Sequence, residues 1–305
     1  MNDIDHYAVA GHPVAHSQSP FIHAMFAAQT GQSLRYGRLL CPLDEGGFAS
    51  TVRDFAASRA GSLGEFDPCA VPGAAAGVAR GCNVTVPSKF EAFALGKRHS
   101  ERALLAQAAN LLRFDADGWL ADNTDGAGLV RDIEHNAGVA MKGLRVLLVG
   151  AGGAAAGALG SLISARPAEL LLCNRTVDKA EALAARHAAW ADAHGVRLLS
   201  ASLQQPGSAF DVLINASASS LHAGEIPVPA SALREGTLAL DMMYGTAARP
   251  FVDWAAAHGA RGRDGLGMLV EQAAESFFVW RGVRPDTAAV LTALQHKLAA
   301  AAKSP

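Results

Sequence analysis

The sequence predicts an α/β fold with parallel sheets, because short apolar runs alternate with longer segments of helical pattern. Each apolar run has the length of a strand. The strand candidates, in chain order, are HYAVAG, LRYGRLLC, CNVTV, RVLLVG, ELLLCN, DVLINAS and TLALDMM. A glycine-rich turn directly after RVLLV is the second indication, since parallel α/β units use such a turn to join a strand to the next helix.

Helical patterns fill most of the intervals between these strands. The helix candidates are residues 20–30, 90–96, 101–108, 126–137, 153–165, 178–194 and 268–281. The stretch 60–81 has neither pattern, and its glycine, alanine and proline residues indicate a loop. Two interpretations of this loop stay open: a surface insertion, or a lid over a binding site.

The composition excludes several classes of protein. Of the 305 residues, 50% are hydrophobic and 18% are charged, with a formal net charge of −2, which suits one large or two ordinary domains. The chain has no run of lysine and arginine typical of a nucleic-acid interface, so we expect no nucleic-acid partner. It also has no apolar segment of about 18 residues, so we expect no membrane span.

The first residues, the cysteines and the histidines indicate the compartment and the absence of a metal. The N-terminus lacks a basic segment followed by an apolar stretch, which argues against a secretory signal. The cysteines are scattered, which favours reduced thiols in the cytoplasm; they are Cys41, Cys69, Cys82 and Cys173. The eleven histidines lack the spacing of metal ligands, so we expect no metal site.

A pair of serines lies at the start of the first predicted helix. In HSQSPFIHAMFAAQTG, Ser19 is suited to the N-cap and Pro20 to the first helical position, and Gly31 ends the helix. Ser17 and Ser19 therefore place two hydroxyl groups at the positive end of a helix, where an anion can bind. The alternative is that Ser19 only caps the helix and that Ser17 has no role.

The stretch GCNVTVPSKFEAF places a lysine where a helix is expected to begin. Residues 84–86 are predicted to end a strand and Pro87 to open the helix, with Lys89 two residues later. Because the amide groups give a helix start a partial positive charge, an ammonium group is unfavourable there. We interpret Lys89 as an acid–base group; the alternative is a solvated surface lysine.

The glycine turn is the most specific local pattern. A strand over residues 145–149 precedes Gly150, Gly152 and Ala155, which fill the pattern G-x-G-x-x-A at the start of a helix. Small residues allow a tight turn and a close approach of a pyrophosphate to the helix N-terminus. A further strand, ELLLC, follows this helix, which is the context that the motif requires. The pattern predicts a dinucleotide-binding unit.

The end of that further strand indicates which dinucleotide binds. Units that bind NAD usually have Asp or Glu there, whereas this chain has Asn174, Arg175 and Thr176, with Lys179 a turn later. A carboxylate would repel a 2′-phosphate, while Arg175 can hold that phosphate through paired N–H bonds. We therefore predict NADP as the cofactor rather than NAD; the alternative is that Arg175 is a solvated surface residue.

Taken together, the segments AHSQSPFIH, NVTVPSK, DNTDGAG, VGAGGA, CNRT and DGLGMLVEQAA resemble the shikimate dehydrogenase family, in the order of that family. The resemblance implies a two-domain α/β protein. Residues 1–123 and 264–305 would form an N-terminal substrate domain completed by C-terminal helices, and residues 124–263 an inserted Rossmann-type NADP-binding domain. The implied reaction is the NADPH-dependent reduction of 3-dehydroshikimate to shikimate, and its reverse, in the pathway to the aromatic amino acids.

The same resemblance implies roles for individual residues. Lys89 would be the catalytic residue and Asp125 its partner. Besides these two, the residues implied to contact the substrate are Ser17, Ser19, Thr85, Asn110, Tyr244 and Gln272. The residues implied to contact the cofactor are Gly150, Ala151, Gly152, Gly153, Ala154, Asn174, Arg175, Thr176, Lys179, Asn215, Ala216, Ser217, Gly265 and Gly267. We expect the domains to close around the cofactor, with hinges at 122–126 and 262–266.

The chain departs from the family pattern at several positions. Ser88 stands where Phe is usual, Leu111 where Thr is usual, Ala248–Arg249 where Thr is common before a proline, and the stretch 60–81 is longer than in the family. These departures leave the substrate preference open. The alternatives are a dehydrogenase with relaxed use of quinate and shikimate, or a non-catalytic NADP-binding sensor. The expected partner is a small-molecule substrate, and the sequence does not decide between a monomer and a homodimer.

Overall fold

The computed structural model describes residues 4–57, 77–217, 226 and 228–301. The chain divides into two compact units: unit 1 is Met1–Thr124 with Gln272–Pro305, and unit 2 is Asp125–Glu271. The predicted α/β class with two domains is confirmed. The predicted domain limits place the return crossing earlier, between 263 and 264, and stay a prediction.

The strands are short, and their bounds follow in chain order. They are β1 (Ile4–Gly11), β2 (Leu34–Leu40), β3 (Gly77–Val84), β4 (Arg98–His99), β5 (Leu111–Arg113), β6 (Leu120–Asp122), β7 (Arg145–Val149), β8 (Glu169–Asn174), β9 (Arg197–Ser202), β10 (Val212–Asn215), β11 (Leu238–Asp241) and β12 (Arg261–Arg263).

Helices connect most of these strands. They are α1 (Ser19–Thr30), α2 (Gly47–Ala57), α3 (Lys89–Leu95), α4 (Glu101–Ala106), α5 (Asp125–Arg131), α6 (Gly153–Ser164), α7 (Val177–His194), α8 (Arg249–Ala257), α9 (Leu266–Arg281) and α10 (Ala288–Ala301). A π-helical turn, Asp132–Asn136, continues α5, and Ala230–Ala232 form a 3₁₀ turn. Within the described residues, no helix is both long enough and apolar enough to cross a membrane.

The sheet of unit 1 has the strand order β2-β1-β3-β5-β6-β4. β1 is parallel to both β2 and β3, as the sequence predicts, whereas β5 is antiparallel to β3 and to β6. The expectation of parallel sheets therefore holds for only part of this sheet. The reason is local, because the tight turn closed by the N–H of Gly118 and the carbonyl of Asp115 (3.1 Å) joins β5 directly to β6.

The sheet of unit 2 has the order β12-β11-β10-β7-β8-β9, and all its pairings are parallel. This is the doubly wound order of dinucleotide-binding domains, and it reverses between β7 and β10. Helices cover both faces, so alternate residues of β7 enter two different apolar cores: Val146 and Leu148 in one, Leu147 and Val149 in the other. Burial on both faces explains the continuous apolar run RVLLV.

Two helix starts differ from the sequence expectation. α1 begins at Ser19 with Gln18 at the N-cap, so Ser19 is not the cap; Gly31 ends the helix in the left-handed conformation as predicted (φ 64°). β3 ends at Val84 and α3 begins only at Lys89, so Pro87 is not the first helical residue. The cause is a turn after β3, closed by the N–H of Ser88 and the carbonyl of Thr85 (3.1 Å).

The loop predicted over residues 60–81 is only partly within the described structure. Residues 77–81 belong to β3, so the expectation of a loop is wrong for them. The rest of that stretch, residues 60–76 with Cys69, lies outside the described residues. The choice between a surface insertion and a lid therefore also concerns residues outside the described structure. The other cysteines, Cys41, Cys82 and Cys173, are buried free thiols, and burial raises the pKa of each.

A buried ionic network joins three segments of unit 1. Asp122, at the end of β6, accepts hydrogen bonds at 2.7 Å from Nε and from Nη2 of Arg102 and at 2.7 Å from the N–H of Asn123, and a further one from the hydroxyl of Ser100. Arg102 also donates to Glu275 of α9 over 2.9 Å. Burial alone would raise the pKa of Asp122, but the Arg102 ion pair and the other hydrogen bonds hold it below its ordinary value.

We predict that Asp122→Asn lowers the free energy of unfolding by about 2 kcal/mol or more at pH 7. Breaking a buried ion pair typically costs about 3–5 kcal/mol. We expect a loss near or below the lower end of this range, because Arg102 keeps Glu275 as a partner and is 25% exposed. The pKa of Asp122 is lower in the folded than in the unfolded protein. The contribution of its ion pair to the free energy of unfolding is therefore fully present above pH 3.9, about the ordinary pKa of Asp, and is lost as the pH falls below that value. Urea unfolding at pH 7, 4 and 3 measures this.

The control is Asp253→Asn, which breaks the exposed pair between Arg249 and Asp253 on α8. We expect it to change stability by less than about 0.5 kcal/mol. Equal effects of the two substitutions at pH 7, or a difference that grows as the pH falls, would contradict the assignment.

Candidate active site

The two predicted serines contact each other at the start of α1. The Ser17 hydroxyl donates to the Ser19 hydroxyl over 3.2 Å, and the N–H of Ser19 donates to the Ser17 hydroxyl over 3.3 Å. Ser19 is 6% exposed and Ser17 is half-buried. The first turn of α1 contains no acidic residue. Two hydroxyl groups and a helix start thus form a local site that suits a carboxylate.

A second cluster of polar side chains in unit 1 contains Asn110 and Gln272, both predicted substrate ligands. Asn110 Nδ2 donates to Thr124 Oγ1 over 2.9 Å and to Gln272 Oε1 over 3.2 Å, and the N–H of Thr124 donates to Asn110 Oδ1 over 2.7 Å. Asn110 is 3% and Gln272 9% exposed. We call Asn110, Thr124 and Gln272 the amide cluster; amide and hydroxyl groups are those that recognise hydroxyl groups of a ligand.

Three further buried side chains extend the amide cluster. The Tyr36 hydroxyl donates to Asn83 Oδ1 over 2.7 Å, and Asn83 Nδ2 donates to Ser276 Oγ over 2.9 Å and to the carbonyl of Asn110 over 3.2 Å. Ser276 Oγ lies 3.0 Å from Thr124 Oγ1. Strands β2 and β3 and helix α9 therefore meet in one hydrogen-bond network.

Main-chain hydrogen bonds bring Thr85 and Lys89 to the same region of unit 1. The carbonyl of Lys89 accepts from the N–H of Ala109 over 2.8 Å, next to Asn110 in the chain. The N–H of Thr85 donates to the carbonyl of Ala10 over 2.9 Å, at the end of β1. Both side chains are half-buried. The main chain of Lys89 is therefore fixed beside Asn110, and the choice between an acid–base group and a surface lysine stays a prediction.

Asp125 and Tyr244 belong to unit 2. Asp125 is buried and is the first residue of α5, directly after Thr124 of the amide cluster. Chain continuity therefore places its backbone beside that cluster. Tyr244 follows β11 and is half-buried, and burial raises the pKa of its hydroxyl. Their predicted contacts with a substrate stay predictions.

The glycine turn lies where the strand order of unit 2 reverses. Gly150 has φ +113°, and a Cβ there would lie 3.0 Å from the carbonyl of Ala216, so this position requires glycine on two grounds. Gly152 is the N-cap of α6, and a Cβ there would meet no atom within 4 Å. Gly153 and Ala154 form the first turn, which has no acidic residue. Open space before an uncompensated helix start fits a pyrophosphate.

The residues after β8 fit a 2′-phosphate better than a ribose hydroxyl. Asn174 ends the strand, and its Nδ2 donates to the carbonyl of Thr176 over 2.8 Å, which closes the turn into α7. Arg175, Thr176 and Lys179 lie in and just after this turn, and both cations are exposed. Two cations thus lie close to the end of β8, which is Asn174 and not the Asp or Glu usual in NAD-binding units, although Asp178 is also in the first turn of α7.

The other predicted cofactor residues lie at the ends of β10 and β11 and before α9. Asn215 Nδ2 donates to Asp241 Oδ2 over 3.0 Å, and Asn215 Oδ1 accepts from the Ser217 hydroxyl over 2.6 Å, which fixes the segment 215–217 beside Gly150. A Cβ on Gly265 would lie 2.4 Å from the carbonyl of Met242. This glycine therefore has a packing role, and its predicted contact with the cofactor stays a prediction.

Gly267 also packs closely within unit 2. A Cβ there would lie 1.8 Å from Oδ1 of Asp132, a buried carboxylate paired with Arg263 through Nε at 2.9 Å. The sequence assigned this glycine to the cofactor through the family resemblance, whereas the described contacts explain why it is glycine without any ligand.

Several residues of the site were not singled out from the sequence. Asn83 and Thr124 lie inside the quoted motifs NVTVPSK and DNTDGAG but carried no predicted role, and Ser276 lies one helical turn after Gln272. Tyr36 and Arg38 occupy alternate positions of LRYGRLLC, and this polar alternation within a strand was the available signal.

Three family models match the chain. The model of the shikimate dehydrogenase substrate binding domain matches residues 9–112, that of shikimate / quinate 5-dehydrogenase matches residues 132–226, and that of the shikimate 5'-dehydrogenase C-terminal domain matches residues 265–295. The three matches follow one another along the chain.

Individual proteins are similar over nearly the whole length. A shikimate dehydrogenase (NADP(+)) of Methylibium petroleiphilum is 62% identical over 291 residues, which covers 95% of this chain and 94% of the relative. Among solved structures, an Ael1 enzyme from Pseudomonas putida is 42% identical, with a TM-score of 0.81 and coverage of 95% and 98%. Shikimate 5-dehydrogenase from Thermus thermophilus in complex with NADP(H) and shikimate is 26% identical, with a TM-score of 0.76 and coverage of 96% and 99%.

Proposed function

The chain belongs to the shikimate dehydrogenase family, and from this premise we propose the function of its two units. The protein catalyses the reversible NADPH-dependent reduction of 3-dehydroshikimate to shikimate. The observation that carries this conclusion is the 62% identity to a relative named shikimate dehydrogenase (NADP(+)), over 95% of the chain. The sequence predictions of family, activity and cofactor are confirmed.

We assign the cofactor to unit 2 and the substrate mainly to unit 1. When bound, NADPH supplies a hydride for the ketone carbon. The start of α6, with Gly152 at its N-cap, would hold the pyrophosphate, and Arg175 with Lys179 the 2′-phosphate. The open space at Gly152 and the two exposed cations after β8 support this assignment.

In unit 1, we assign the substrate carboxylate to Ser17 and Ser19. The ring hydroxyls would be recognised by the amide cluster, with Thr85 nearby on the turn after β3. Hydroxyl donors at a helix start suit an anion, whereas amide groups can both donate to and accept from a hydroxyl. Asp125 and Tyr244 of unit 2 complete the proposed substrate ligands.

Lys89 is the proposed proton donor in the direction of ketone reduction. Its ammonium group gives a proton to the oxygen that becomes the new hydroxyl, and its amine takes that proton back in the reverse direction. Asp125 is the proposed partner that favours the protonated lysine, because a carboxylate stabilises a nearby ammonium group. We also propose that the enzyme works in the cytoplasm; the free thiols Cys41, Cys82 and Cys173 support this.

The decisive assay follows the reduction of NADP⁺ by the absorbance of NADPH, with shikimate and with quinate, each repeated with NAD⁺. We expect turnover with shikimate and NADP⁺ and at least about tenfold lower kcat/KM with NAD⁺, since the charged contacts to the 2′-phosphate are then lost. Equal efficiency with quinate would instead favour the relaxed shikimate/quinate dehydrogenase. Absence of turnover with both acids would favour the NADP-binding sensor. A sizing column run at the assay concentration distinguishes a monomer from a homodimer.

We predict that Lys89→Ala lowers kcat for shikimate by about 10²–10⁴-fold, the range typical of general acid–base catalysis. The KM for shikimate should change little, because the serines and the amide cluster are intact. The matched control is Lys97→Ala; Lys97 is also in unit 1, but it is exposed and donates to the carbonyl of Asp117 over 3.1 Å. Near-normal turnover of the Lys89 variant would remove this residue from the chemistry.

We predict that Arg175→Gln raises the KM for NADP⁺ by about 10- to 100-fold and leaves the KM for NAD⁺ within about twofold, because only NADP⁺ has the 2′-phosphate. The control is Arg186→Gln, an exposed arginine on the adjacent helix α7. Initial rates against cofactor concentration provide both constants. Parallel losses with the two cofactors would mean that Arg175 supports the fold and does not select the phosphate.

A further inference from the structure

Two side chains of β2, Tyr36 and Arg38, contact the two serines assigned to the substrate carboxylate. They are two residues apart in a strand, so they lie on the same face of it. Arg38 Nη2 donates to the carbonyl oxygen of Ser17 over 2.9 Å. The Ser19 hydroxyl is hydrogen-bonded to the phenol of Tyr36. Each serine is therefore held by one residue of β2.

Tyr36 connects Ser19 to the amide cluster. Its hydroxyl donates to Asn83 Oδ1 over 2.7 Å, and Asn83 Nδ2 donates to the carbonyl oxygen of Asn110 over 3.2 Å. The Tyr36 ring is 4% exposed and stacks on His23, with ring centroids 4.2 Å apart and planes 5° from parallel. A phenol bonded at its oxygen and packed on its ring face is well suited to keep the serines and the amide cluster at a fixed separation.

Arg38 brings a permanent positive charge to the serine loop, the segment that contains Ser17 and Ser19. Serine hydroxyls are neutral donors, so a carboxylate bound in this half-buried place needs a cation to offset its desolvation. A guanidinium group is always protonated in proteins. Lys297 is a second cation near this loop, where it donates to Gln18 Oε1 over 2.9 Å, but it is exposed and its charge is screened by solvent. Arg38 is less exposed and is therefore the better counter-charge.

We propose that Tyr36 and Arg38 are positioning residues for the substrate carboxylate. Arg38 fixes the Ser17 carbonyl and adds its charge to the serine loop, while Tyr36 orients the Ser19 hydroxyl relative to the amide cluster. This inference rests on the proposed function, because it names residues that support the same binding site. Neither residue is expected to contact the reacting carbon or oxygen.

The test for Arg38 uses Arg38→Gln and Arg38→Lys, with shikimate and with its neutral carboxamide as substrates. We expect Arg38→Gln to raise the KM for shikimate by about 10- to 150-fold, the range for a charge-assisted interaction, with kcat and the KM for NADP⁺ within about twofold. Arg38→Lys should restore part of the affinity, since it keeps the charge but loses the planar donor group. With the carboxamide, wild type and Arg38→Gln should differ by less than about threefold, because the charge is gone.

The test for Tyr36 is a double-mutant cycle of Tyr36→Phe and Ser19→Ala. Tyr36→Phe keeps the ring and removes only the hydroxyl, so we expect a rise of about two- to tenfold in the KM for shikimate, the range for one neutral hydrogen bond. In the Ser19→Ala background, Tyr36→Phe should change the logarithm of the KM for shikimate by less than half as much, because the bond between Tyr36 and Ser19 is already absent. Additive effects would overturn the role of Tyr36.

The control is Arg35→Gln, which removes the same charge from the same strand, three residues before Arg38 and so on the other face. It should leave all constants within about twofold. If Arg38→Gln loses equal efficiency with shikimate and with the carboxamide, the role of Arg38 is structural and the inference is wrong. If Arg38→Gln does not fold, Arg38→Lys is the test, and an unchanged KM for shikimate in that variant would also overturn the inference. Failure of the wild type to oxidise shikimate would instead overturn the proposed function.

Discussion

An amide side chain can be buried only when its donors and acceptors are used, because an unpaired polar group out of water costs about 1–3 kcal/mol. In unit 1 this constraint acts on Asn83 and Asn110, whose amides bond to Thr124, Gln272 and Ser276. Asn83 and Ser276 are 193 residues apart in the chain. The hydrogen bonds of the N-terminal strands are therefore completed by α9, and the same atoms form the amide cluster. Stability and the proposed recognition of the substrate thus depend on one set of contacts.

Unit 2 is organised by a different constraint, the close approach of main chains at the ends of buried strands. Both faces of its sheet are covered by helices, and in sheets of this kind ligands bind at the carboxyl ends of the strands. There the turn after β7 approaches the segment after β10 so closely that a Cβ on Gly150 would lie 3.0 Å from the carbonyl of Ala216. The buried bond between Asn215 and Asp241 fixes the neighbouring strand end. These contacts fix the shape of this edge of the sheet.

The sequence candidates include most of the long elements, but they omit α2, α10 and β9, and they also omit short elements that depend on partners. The seven strand candidates all contain a strand, because each is buried and apolar over several residues. β4, β5 and β6 have two or three residues each, which is too short for a pattern, and the antiparallel β5 depends on a local turn. In the site, the paired serines and the glycine turn were predictable from spacing. The polar alternation of Tyr36 and Arg38 in β2 was visible, but their proposed roles were not, because the sequence does not show which face of the strand meets α1.

The proposed indirect role of Arg38 is consistent with the demands of a reversible reaction. An arginine in direct contact with a substrate carboxylate binds the ground state and the transition state equally, since the carboxylate takes no part in the chemistry; such binding lowers KM without raising kcat. In the proposed site, two serine hydroxyls backed by a guanidinium group would give a weaker, directional contact that still offsets the desolvation of the anion. In this proposed arrangement the carboxylate would serve mainly to orient the ring, so that the binding free energy available at the amide cluster and Lys89 would act on the carbon that changes its oxidation state.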